Sequence, residues 1–467
     1  MSSGDDKLIS WNPSERKLSR RQLLERATIL GLSVPAVTAW MESLGLTEAA
    51  GQGAGLKLQQ GATVKVFSQP NPWADNFKRM AADWVKLTGV NVQYVQAPFE
   101  NMLSKLTTTY VSGIYAFDVA FHDTIWMPIF AKRGFLKNLT PYLKDPVATP
   151  AGFDYPNDFQ NVEISGNYKP GNGWHLPAGI WGLPLIAGWR PLYYRTDLLK
   201  KAGLVNPPKT MEELVMYARK MNAPSEQIYG YVLSGSRGRI NFDEYSGFLW
   251  TYGGDYFDKT FHAAFNSPQG LQALNTLIAL AKVSPPGSGN YFISDTWTEF
   301  LSGHVALAIT WQDLSTVAVK PGSSVFGRFD ATAAPSHNGV TRPLYDGIVA
   351  AVPAKAKYPR EAYAYVAWLL APQHAVKTVL DGSFIPRWSV YRDPRVVKIA
   401  PSAKDDLPEE SLRNAKAVPL IPEWGEVDVT IAEFLHRAVF VGDLTPEQAL
   451  SQASGAVNAI MHRAGYF

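Results

Sequence analysis

The sequence predicts an α/β protein of two lobes, with mixed, mostly parallel sheets flanked by helices. Three observations support this class. After its first 56 residues the chain still has about 400, more than a single hydrophobic core usually holds. Strand-like and helix-like periods alternate along it, as in parallel sheets with crossover helices. The stretch 180–214 changes from a strand period to a helical period beyond a central joint.

The composition is that of a well-packed protein, and it excludes several kinds of site. Hydrophobic residues make up 46% of the chain and charged residues 18%, and the formal net charge is +3. Basic and acidic residues are interspersed, so we expect no nucleic-acid partner. The absence of cysteine excludes disulfides, thiolate metal sites and a lipidated cysteine anchor. Aromatic residues make up 12%, which suits a large core and a cleft that stacks on apolar ligand faces.

The first 56 residues are typical of an export signal and a linker. Arg20 and Arg21 precede an apolar segment, 27–40, which is too short and too interrupted by Pro35 to span a membrane stably. This pattern resembles a twin-arginine signal. We therefore expect export across the cytoplasmic membrane to a periplasmic or cell-surface location. An ordinary amphipathic helix is the alternative.

The next part of the chain alternates strands with helices. We predict strands at 57–69, 90–97 and 117–123, and helices at 73–88 and 99–111. In sheets of this kind, ligands lie beyond the carboxyl ends of the strands. This rule selects the candidates Ser68, Gln69, His122, Asp123 and Trp126. For His122, a satisfied histidine of the core is the alternative.

The stretch 180–214 contains the clearest local signals. Two strands flank a joint at Ala187 and Gly188. Asp197 is predicted to cap a short helix that Gly203 ends. Thr210 and Glu213 have the spacing of a capping box that opens an amphipathic helix.

The later elements follow from the same signals. The segment 142–179 is predicted to be irregular, because it is rich in Pro, Gly, Asn and Asp. We predict strands at 229–233 and 303–310 and helices at 242–250, 267–282, 296–302 and 361–370, with a final helix opened by Thr445. Trp311 comes just after a strand and is the strongest candidate for stacking on a ligand.

Several segments resemble one protein family. Residues 182–185 (GLPL), 194–203 (YRTDLLKKAG) and 207–214 (PPKTMEEL) occur in that order, and 384–394 (FIPRWSVYRDP) follows later. Asp118, Asp123, Trp126, Phe300, Gly303, Ala306 and Trp311 match two further motifs. Together they resemble the extracellular solute-binding proteins of family 1, the sugar receptors of ABC importers, over about 64–461.

The resemblance implies a fold and its boundaries. The fold would be the two-lobed periplasmic-binding-protein type II fold of maltose-binding-protein-like receptors, with a hinge of three crossovers. Lobe 1 would comprise 57–186 and 347–384, and lobe 2 would comprise 187–346 and 385–467. A crossover near Asp346 would return the chain to lobe 1.

A sugar needs two kinds of partner, which the candidates supply. Its ring faces stack on indole or phenol rings, and its hydroxyls bond to carboxylates, amides and guanidinium groups. The family order adds candidates to those chosen by the strand rule: Trp189, Trp250, Tyr252, Trp311, Asp313, Asp346, Arg387, Trp388 and Trp424. Packing within a lobe is the alternative for Trp250, Tyr252, Arg387 and Trp388.

The expected function is therefore capture of a sugar and its delivery to permease subunits in the membrane. We expect a monomer with no cofactor, no metal and no enzymatic activity. Common catalytic motifs, such as G-x-S-x-G and H-E-x-x-H, are missing from the sequence. A receptor for a non-sugar solute and an exported glycoside hydrolase are the alternatives.

Overall fold

A computed structural model describes residues 58–160, 162–171, 174–237, 242–399, 411 and 413–467. They belong to one compact unit, Lys57–Phe467. The predicted export signal lies outside the described residues. Among the helices described, none has both the length and the apolar composition required to cross a bilayer.

The strands lie close to their predicted positions. In chain order, those of the described residues are β1 Thr63–Ser68, β2 Asn91–Gln96, β3 Val119–Asp123, β4 Asn167–Tyr168, β5 Gly179–Ile180, β6 Leu183–Gly188, β7 Leu192–Arg195, β8 Tyr229–Tyr231, β9 Val305–Ile309, β10 Phe329–Thr332 and β11 Asp346–Ala351. The short strands β4 and β5 pair with each other within the segment predicted to be irregular.

The helices likewise follow the predicted pattern. They are α1 Pro72–Thr88, α2 Phe99–Ser112, α3 Met127–Lys132, α4 Thr140–Leu143, α5 Thr196–Lys201, α6 Met211–Met221, α7 Phe242–Thr251, α8 Pro268–Ala281, α9 Ile293–Leu301, α10 Leu314–Ala318, α11 Pro359–Leu369, α12 Pro372–Leu380, α13 Pro394–Ile399, α14 Trp424–His436 and α15 Pro446–Arg463. Short 3-10 turns occur at Thr124–Trp126, Pro224–Glu226, Ser288–Asn290 and Val390–Arg392, and a π-helical turn, Arg437–Val441, continues α14.

Local hydrogen bonds begin several of these helices where the sequence predicts. Thr210 accepts from the backbone of Glu213, whose carboxylate accepts from the backbone of Thr210, so the predicted capping box is present. Ser267 caps α8, and Thr445 caps α15. Each cap satisfies backbone N–H groups that have no partner within the helix.

The cap predicted at Asp197 is wrong. Helix α5 begins at Thr196, so Asp197 lies inside the helix. Its N-cap is Arg195, whose side chain makes no capping hydrogen bond. The guanidinium of Arg195 instead binds both carboxylate oxygens of Asp197, at 2.8 and 2.7 Å. The paired geometry of an ion pair holds this carboxylate more strongly than a single backbone N–H would.

Two sheets form the centres of the two lobes. The first sheet has the order β2-β1-β3-β11-β6, and the second has the order β10-β7-β9-β8. Helices α11 and α12 follow β11, and buried Asn76 of α1 donates to Thr378 of α12 at 3.2 Å. These contacts place the segment after β11 on the first sheet's side of the molecule.

The sheets are mixed, as predicted, but parallel pairing does not dominate them. Parallel pairs are β1 with β2, β1 with β3, and β8 with β9. Strand β11 is antiparallel to both β3 and β6, and β7 is antiparallel to both β9 and β10. The expectation of mostly parallel sheets was wrong because one strand next to a crossover in each sheet, β11 in the first and β7 in the second, runs opposite to both of its neighbours.

Three crossovers meet at one place between the sheets. The first joins β6 to β7 through residues 189–191, and the second enters β11 at Asp346, which pairs with Gly188. The third passes Phe384, whose carbonyl oxygen accepts from the backbone of Ala187 at 2.8 Å. We call this meeting point the hinge.

Candidate functional site

Gln312 ties the hinge to the end of β9. Its side-chain oxygen accepts from the backbone of Trp189 at 3.0 Å, and its side-chain nitrogen donates to the carbonyl of Ala187 at 2.7 Å. The hydroxyl of Tyr193 in β7 donates to the Gln312 carbonyl at 2.7 Å. The residues before and after Gly188 are therefore held by one buried amide from the second sheet.

The half-buried indole of Trp311 packs directly on the hinge. A Cβ atom added at Gly188 would lie 3.0 Å from the Trp311 ring and 2.7 Å from the carbonyl oxygen of Asp346. Only glycine leaves room for this approach, because any side chain would meet backbone and ring atoms. Trp311 and Asp346, both candidates from the sequence, are thus brought together against Gly188.

Three carboxylates are linked to this position by a hydrogen bond or by adjacency in the chain. Asp346 accepts a short hydrogen bond from the hydroxyl of Thr124. Asp123, which precedes Thr124, caps the Thr124–Trp126 turn by accepting from the backbone N–H of Ile125 at 3.1 Å. Asp313 lies half-buried two residues after Trp311. Desolvation raises the pKa of its carboxyl to about 6. The hinge therefore carries acceptors suited to hydroxyl groups.

Trp126 ends the turn that begins at Thr124 and is almost fully buried. Its ring stacks on Phe99 with centroids 5.4 Å apart and an interplanar angle of 24°. Helix α14 contacts the Thr124–Trp126 turn, so a helix from the end of the chain meets the first sheet here.

A buried charged cluster supports Trp311 from below. The guanidinium of Arg190 lies 5.3 Å from the centre of the Trp311 ring, within the range of a cation–π interaction. Arg190 also pairs with Asp243 at 3.7 Å and Glu244 at 3.5 Å, and all three are almost fully buried. Burial raises the pKa of Glu244 to about 7, against the opposing effect of Arg190.

Ser68 and Gln160 are buried polar side chains with no hydrogen-bond partner among the described residues. Ser68, a sequence candidate, ends β1, and its hydroxyl is unpaired. Gln160 is fully buried, and neither side-chain amide atom is paired. Its backbone N–H donates to Pro386 at 3.0 Å, two residues beyond the third crossover. Buried groups of this kind are rare in native proteins and mark positions able to bond a ligand.

Sequence reasoning missed Gln160, Gln312, Arg190 and Glu244. Gln160 lies in a segment without periodicity, so no strand-end rule selects it. Gln312 stands between two residues that were selected, Trp311 and Asp313, and that adjacency was the available signal. Nothing in the sequence connects Arg190 with Glu244, because 54 positions separate them.

The structure places His122 in the core of the first lobe. Tyr110 bonds its Nε2 at 2.9 Å, and the carbonyl of Ala120 lies 2.8 Å from its Nδ1. Burial lowers the pKa of the imidazole to about 4. Successive residues of a strand point to opposite faces, so His122 and Asp123 do not share a site. Gln69, half-buried beyond β1, accepts through its backbone from Gln96 at 3.2 Å.

Several tryptophan and tyrosine candidates pack inside the second lobe. Trp250 and Trp424 both contact Tyr256 edge-on, at 5.7 and 5.1 Å. Tyr252 bonds to Thr276 at 2.8 Å. The structure therefore assigns these three residues to packing, although Trp424 begins the helix that contacts the Thr124–Trp126 turn.

Trp189 and Arg387 are also buried. Trp189 is completely enclosed and meets Phe384 edge-on at 5.5 Å, so it forms the base of the hinge. Arg387 pairs with Asp158 at 2.9 Å and lies 4.6 Å over the ring of Phe159, away from Trp311. Desolvation lowers the pKa of this guanidinium.

Trp388 is half-buried and lines a separate surface groove beside Asp158. Its neighbour Arg387, assigned to lobe 2 by the resemblance, contacts residues 153–159, which the resemblance assigns to lobe 1. No group of three His, Asp or Glu side chains within the described ranges is arranged to hold a metal.

Comparison with known proteins gives a consistent result. The family model for bacterial extracellular solute-binding proteins matches residues 71–376. The chain is 27% identical over 332 residues to the mannitol-binding protein of Pseudomonas aeruginosa, covering 63% of this chain and 72% of that protein. It is 26% identical over 432 residues to a probable amino-acid ABC transporter periplasmic-binding protein of Sinorhizobium fredii, covering 90% of this chain and 95% of that protein.

The fold is shared with solved structures. An ABC transporter solute-binding protein from Agrobacterium radiobacter K84, crystallised in complex with ribitol, matches with a TM-score of 0.76 and 25% identity. The match covers 86% of this chain and 100% of that chain. This similarity confirms the predicted two-lobed α/β class.

Proposed function

The chain belongs to the family of bacterial extracellular solute-binding proteins, and we propose that it captures a sugar or polyol between its two lobes and delivers it to the permease of an ABC importer. Members of this family bind solutes for transport and do not transform them.

The position of Trp311 carries this proposal. Its indole lies against Gly188 and Asp346 at the hinge, where a solute between the lobes would contact both sheets. An indole face suits the apolar CH surface of a sugar or polyol, and the neighbouring carboxylates suit its hydroxyls. Closure of the lobes would remove water from these hydrogen bonds and strengthen them.

We propose a binding site smaller than the set of candidates from the sequence. Its members share a position at the hinge or at a strand end facing it, and they are Ser68, Asp123, Trp126, Gln160, Trp311, Asp313 and Asp346. The lobe boundaries proposed are 57–186 with 347–384 and 187–346 with 385–467.

Related proteins support a polyol or sugar as solute. One relative is named for mannitol, and one similar structure contains ribitol. Both molecules are chains of hydroxyl groups, for which a site with several carboxylates and amides is suitable. The relative from Sinorhizobium fredii is named for amino acids, so an amino acid is the second candidate solute.

The remaining features of the proposal concern location and assembly. We propose that residues 1–56 direct export by a twin-arginine route and that the protein acts outside the cytoplasmic membrane as a monomer. Its partners would be the membrane permease subunits of the importer. Substitution of both Arg20 and Arg21 by Lys should leave the precursor in the cytoplasm, and unchanged export would reject this signal.

A thermal-shift panel tests the solute. Purified protein would be heated with mannitol, ribitol, maltose and single amino acids, because a ligand of the folded state alone raises the melting temperature. At 100 times its Kd, such a ligand stabilises the protein by about 2.7 kcal/mol. We expect a sugar or polyol to give the shift. A shift with amino acids only would favour the second candidate, and release of reducing sugar from a glycan would indicate a hydrolase.

A further inference from the structure

Glu244 of α7 lies at the centre of the buried cluster beneath Trp311. Its Oε1 is 3.5 Å from Nη2 of Arg190, and its Oε2 accepts from the hydroxyl of Tyr231 at 3.4 Å. A backbone hydrogen bond from Ser234, in the loop after β8, reaches the same carboxylate. One side chain of a helix therefore contacts the first crossover, strand β8 and the following loop.

Both side-chain partners of Glu244 also bind the backbone of Ile309. Arg190 Nη2 donates to the Ile309 carbonyl at 2.9 Å, and the Tyr231 hydroxyl accepts from the Ile309 N–H at 3.2 Å. Ile309 is the last residue of β9 and comes two positions before Trp311. The peptide groups that lead into Trp311 are thus fixed by two residues that Glu244 holds.

Arg190 also supports the ring itself, at 5.3 Å from its centre. Its Nε and Nη1 make no hydrogen bond among the described residues. The guanidinium is therefore held mainly by Ile309 and by the two carboxylates. Loss of charge on either carboxylate would weaken its position under the indole.

We propose that Glu244 is a positioning residue of the solute site, which holds Trp311 in its binding orientation through Arg190 and Tyr231. This inference depends on the proposed function, because it assigns Trp311 to solute binding. Glu244 touches no solute in this proposal. It acts by fixing both the end of β9 and the cation beneath the ring.

The surroundings of Glu244 make its charge variable. The charged and titratable groups facing it are Arg190 from the first crossover, Asp243 from its own helix and Tyr231 from β8. One cation faces two buried carboxylates, and desolvation raises the pKa of Glu244 to about 7. The carboxylate is charged above this pH and neutral below it. The affinity for the solute should therefore fall as the pH decreases through about 7.

The first test measures the Kd of the solute found in the thermal-shift panel, at pH 5.5 to 8.5, by calorimetry. We expect wild-type affinity to fall by about 5-fold or more across this range, the lower end of typical coupling between sites. Glu244→Gln, neutral at every pH, should bind weakly throughout and lose the step near pH 7. Equal affinity and equal pH dependence in Glu244→Gln and wild type would overturn the inference.

Two further variants test whether Glu244, and not another group, causes the pH dependence of solute affinity. Tyr231→Phe removes a hydrogen bond that lowers the pKa of Glu244, so the step should move to higher pH. A role in folding alone would not move it. Asp313→Asn should weaken binding but retain the step; if it removes the step while Glu244→Gln keeps it, Asp313 carries the effect and the inference fails. If wild type binds no sugar, polyol or amino acid, the proposed function fails first.

Discussion

The side-chain nitrogen of Gln312 donates a 2.7 Å hydrogen bond to the carbonyl oxygen of Ala187, 125 positions away in the chain. The same amide accepts from the backbone of Trp189 at 3.0 Å. Gly188 lies between these two residues, and Trp311 lies beside Gln312. The buried amide of Gln312 thus fixes the backbone on both sides of Gly188, and the same residue adjoins Trp311, the proposed stacking residue.

Replacement of Gln312 by Ala should lower the free energy of unfolding by about 2 kcal/mol or more, because two buried backbone groups lose their partner. Urea denaturation of the purified variant would measure the loss. Gln272→Ala, at an exposed position of α8, is the control and should change stability little. Equal stability of both variants would show that the Gln312 bonds contribute nothing.

Replacement of Gly188 by Ala should weaken solute binding by about tenfold, since a displacement of about 1 Å at a binding group commonly has effects of at least this size. The new methyl group would meet the Asp346 carbonyl at 2.7 Å and the Trp311 ring at 3.0 Å. Gly455→Ala, where a methyl group meets no atom within 4 Å, should bind as wild type does. Titration of both proteins with the same solute provides the comparison.

Replacement of Trp311 by Ala should reduce affinity by about 1 to 3 kcal/mol, from lost stacking and burial. Isothermal titration calorimetry would measure it. Trp388→Ala is a matched control, because Trp388 is also half-buried but lines a groove beside Asp158. Equal losses of affinity in the two variants would show that Trp311 does not contact the solute.

Gln160→Leu should separate binding from stability. The Gln160 amide is buried and unpaired among the described residues, so an apolar side chain of similar shape should leave stability equal or increase it. Solute affinity should fall. Asn76→Leu is the control. Because the buried Asn76 amide donates to the Ser383 hydroxyl at 2.9 Å, this variant should be less stable than wild type. Unchanged affinity in Gln160→Leu would exclude Gln160 from the site.

His122 should contribute to loss of stability in acid. Burial lowers the pKa of its imidazole to about 4, whereas an unfolded chain has a histidine pKa near 6.5. The contribution is complete above pH 6.5 and is lost as the pH falls through about 4. It amounts to about 3 kcal/mol between pH 7 and pH 4.

Urea denaturation at pH 7 and pH 4 tests this prediction with His122→Gln. The difference in stability between the two pH values should be smaller in the variant than in wild type by that amount. His462→Gln, exposed in α15, should behave as wild type does. A variant with the same pH dependence as wild type would show that His122 is protonated normally.

The elements of the fold were predictable because their signals are local. The capping box of Thr210 and Glu213 involves residues three positions apart, and the Ser267 cap on α8 has the same spacing. The alternation of strands and helices also predicted the α/β class. Whether strands pair in parallel or antiparallel was harder to predict from the sequence, because the strand that pairs with a given strand lies far away in the chain.

The candidate site was only partly predictable for the same reason. The rule of strand ends selected Asp123 together with His122, although the two point to opposite faces of β3. The family order selected Trp311 and Asp346, which the hinge brings together. It also selected Trp250, which packs against Tyr256, and Arg387, which pairs with Asp158.

The sequence by itself determined the approximate positions of the main strands and helices, and it determined the family to which the chain belongs. These properties depend on residues a few positions apart and on the order of short motifs. Tertiary structure alone decided that Gln312 would hold Ala187, that Glu244 would hold Arg190 beneath Trp311, and that Gln160 would be buried with no partner among the residues described. Each of these arrangements depends on which distant segments fold against one another. The spacing of residues along the chain does not predict these long-range contacts.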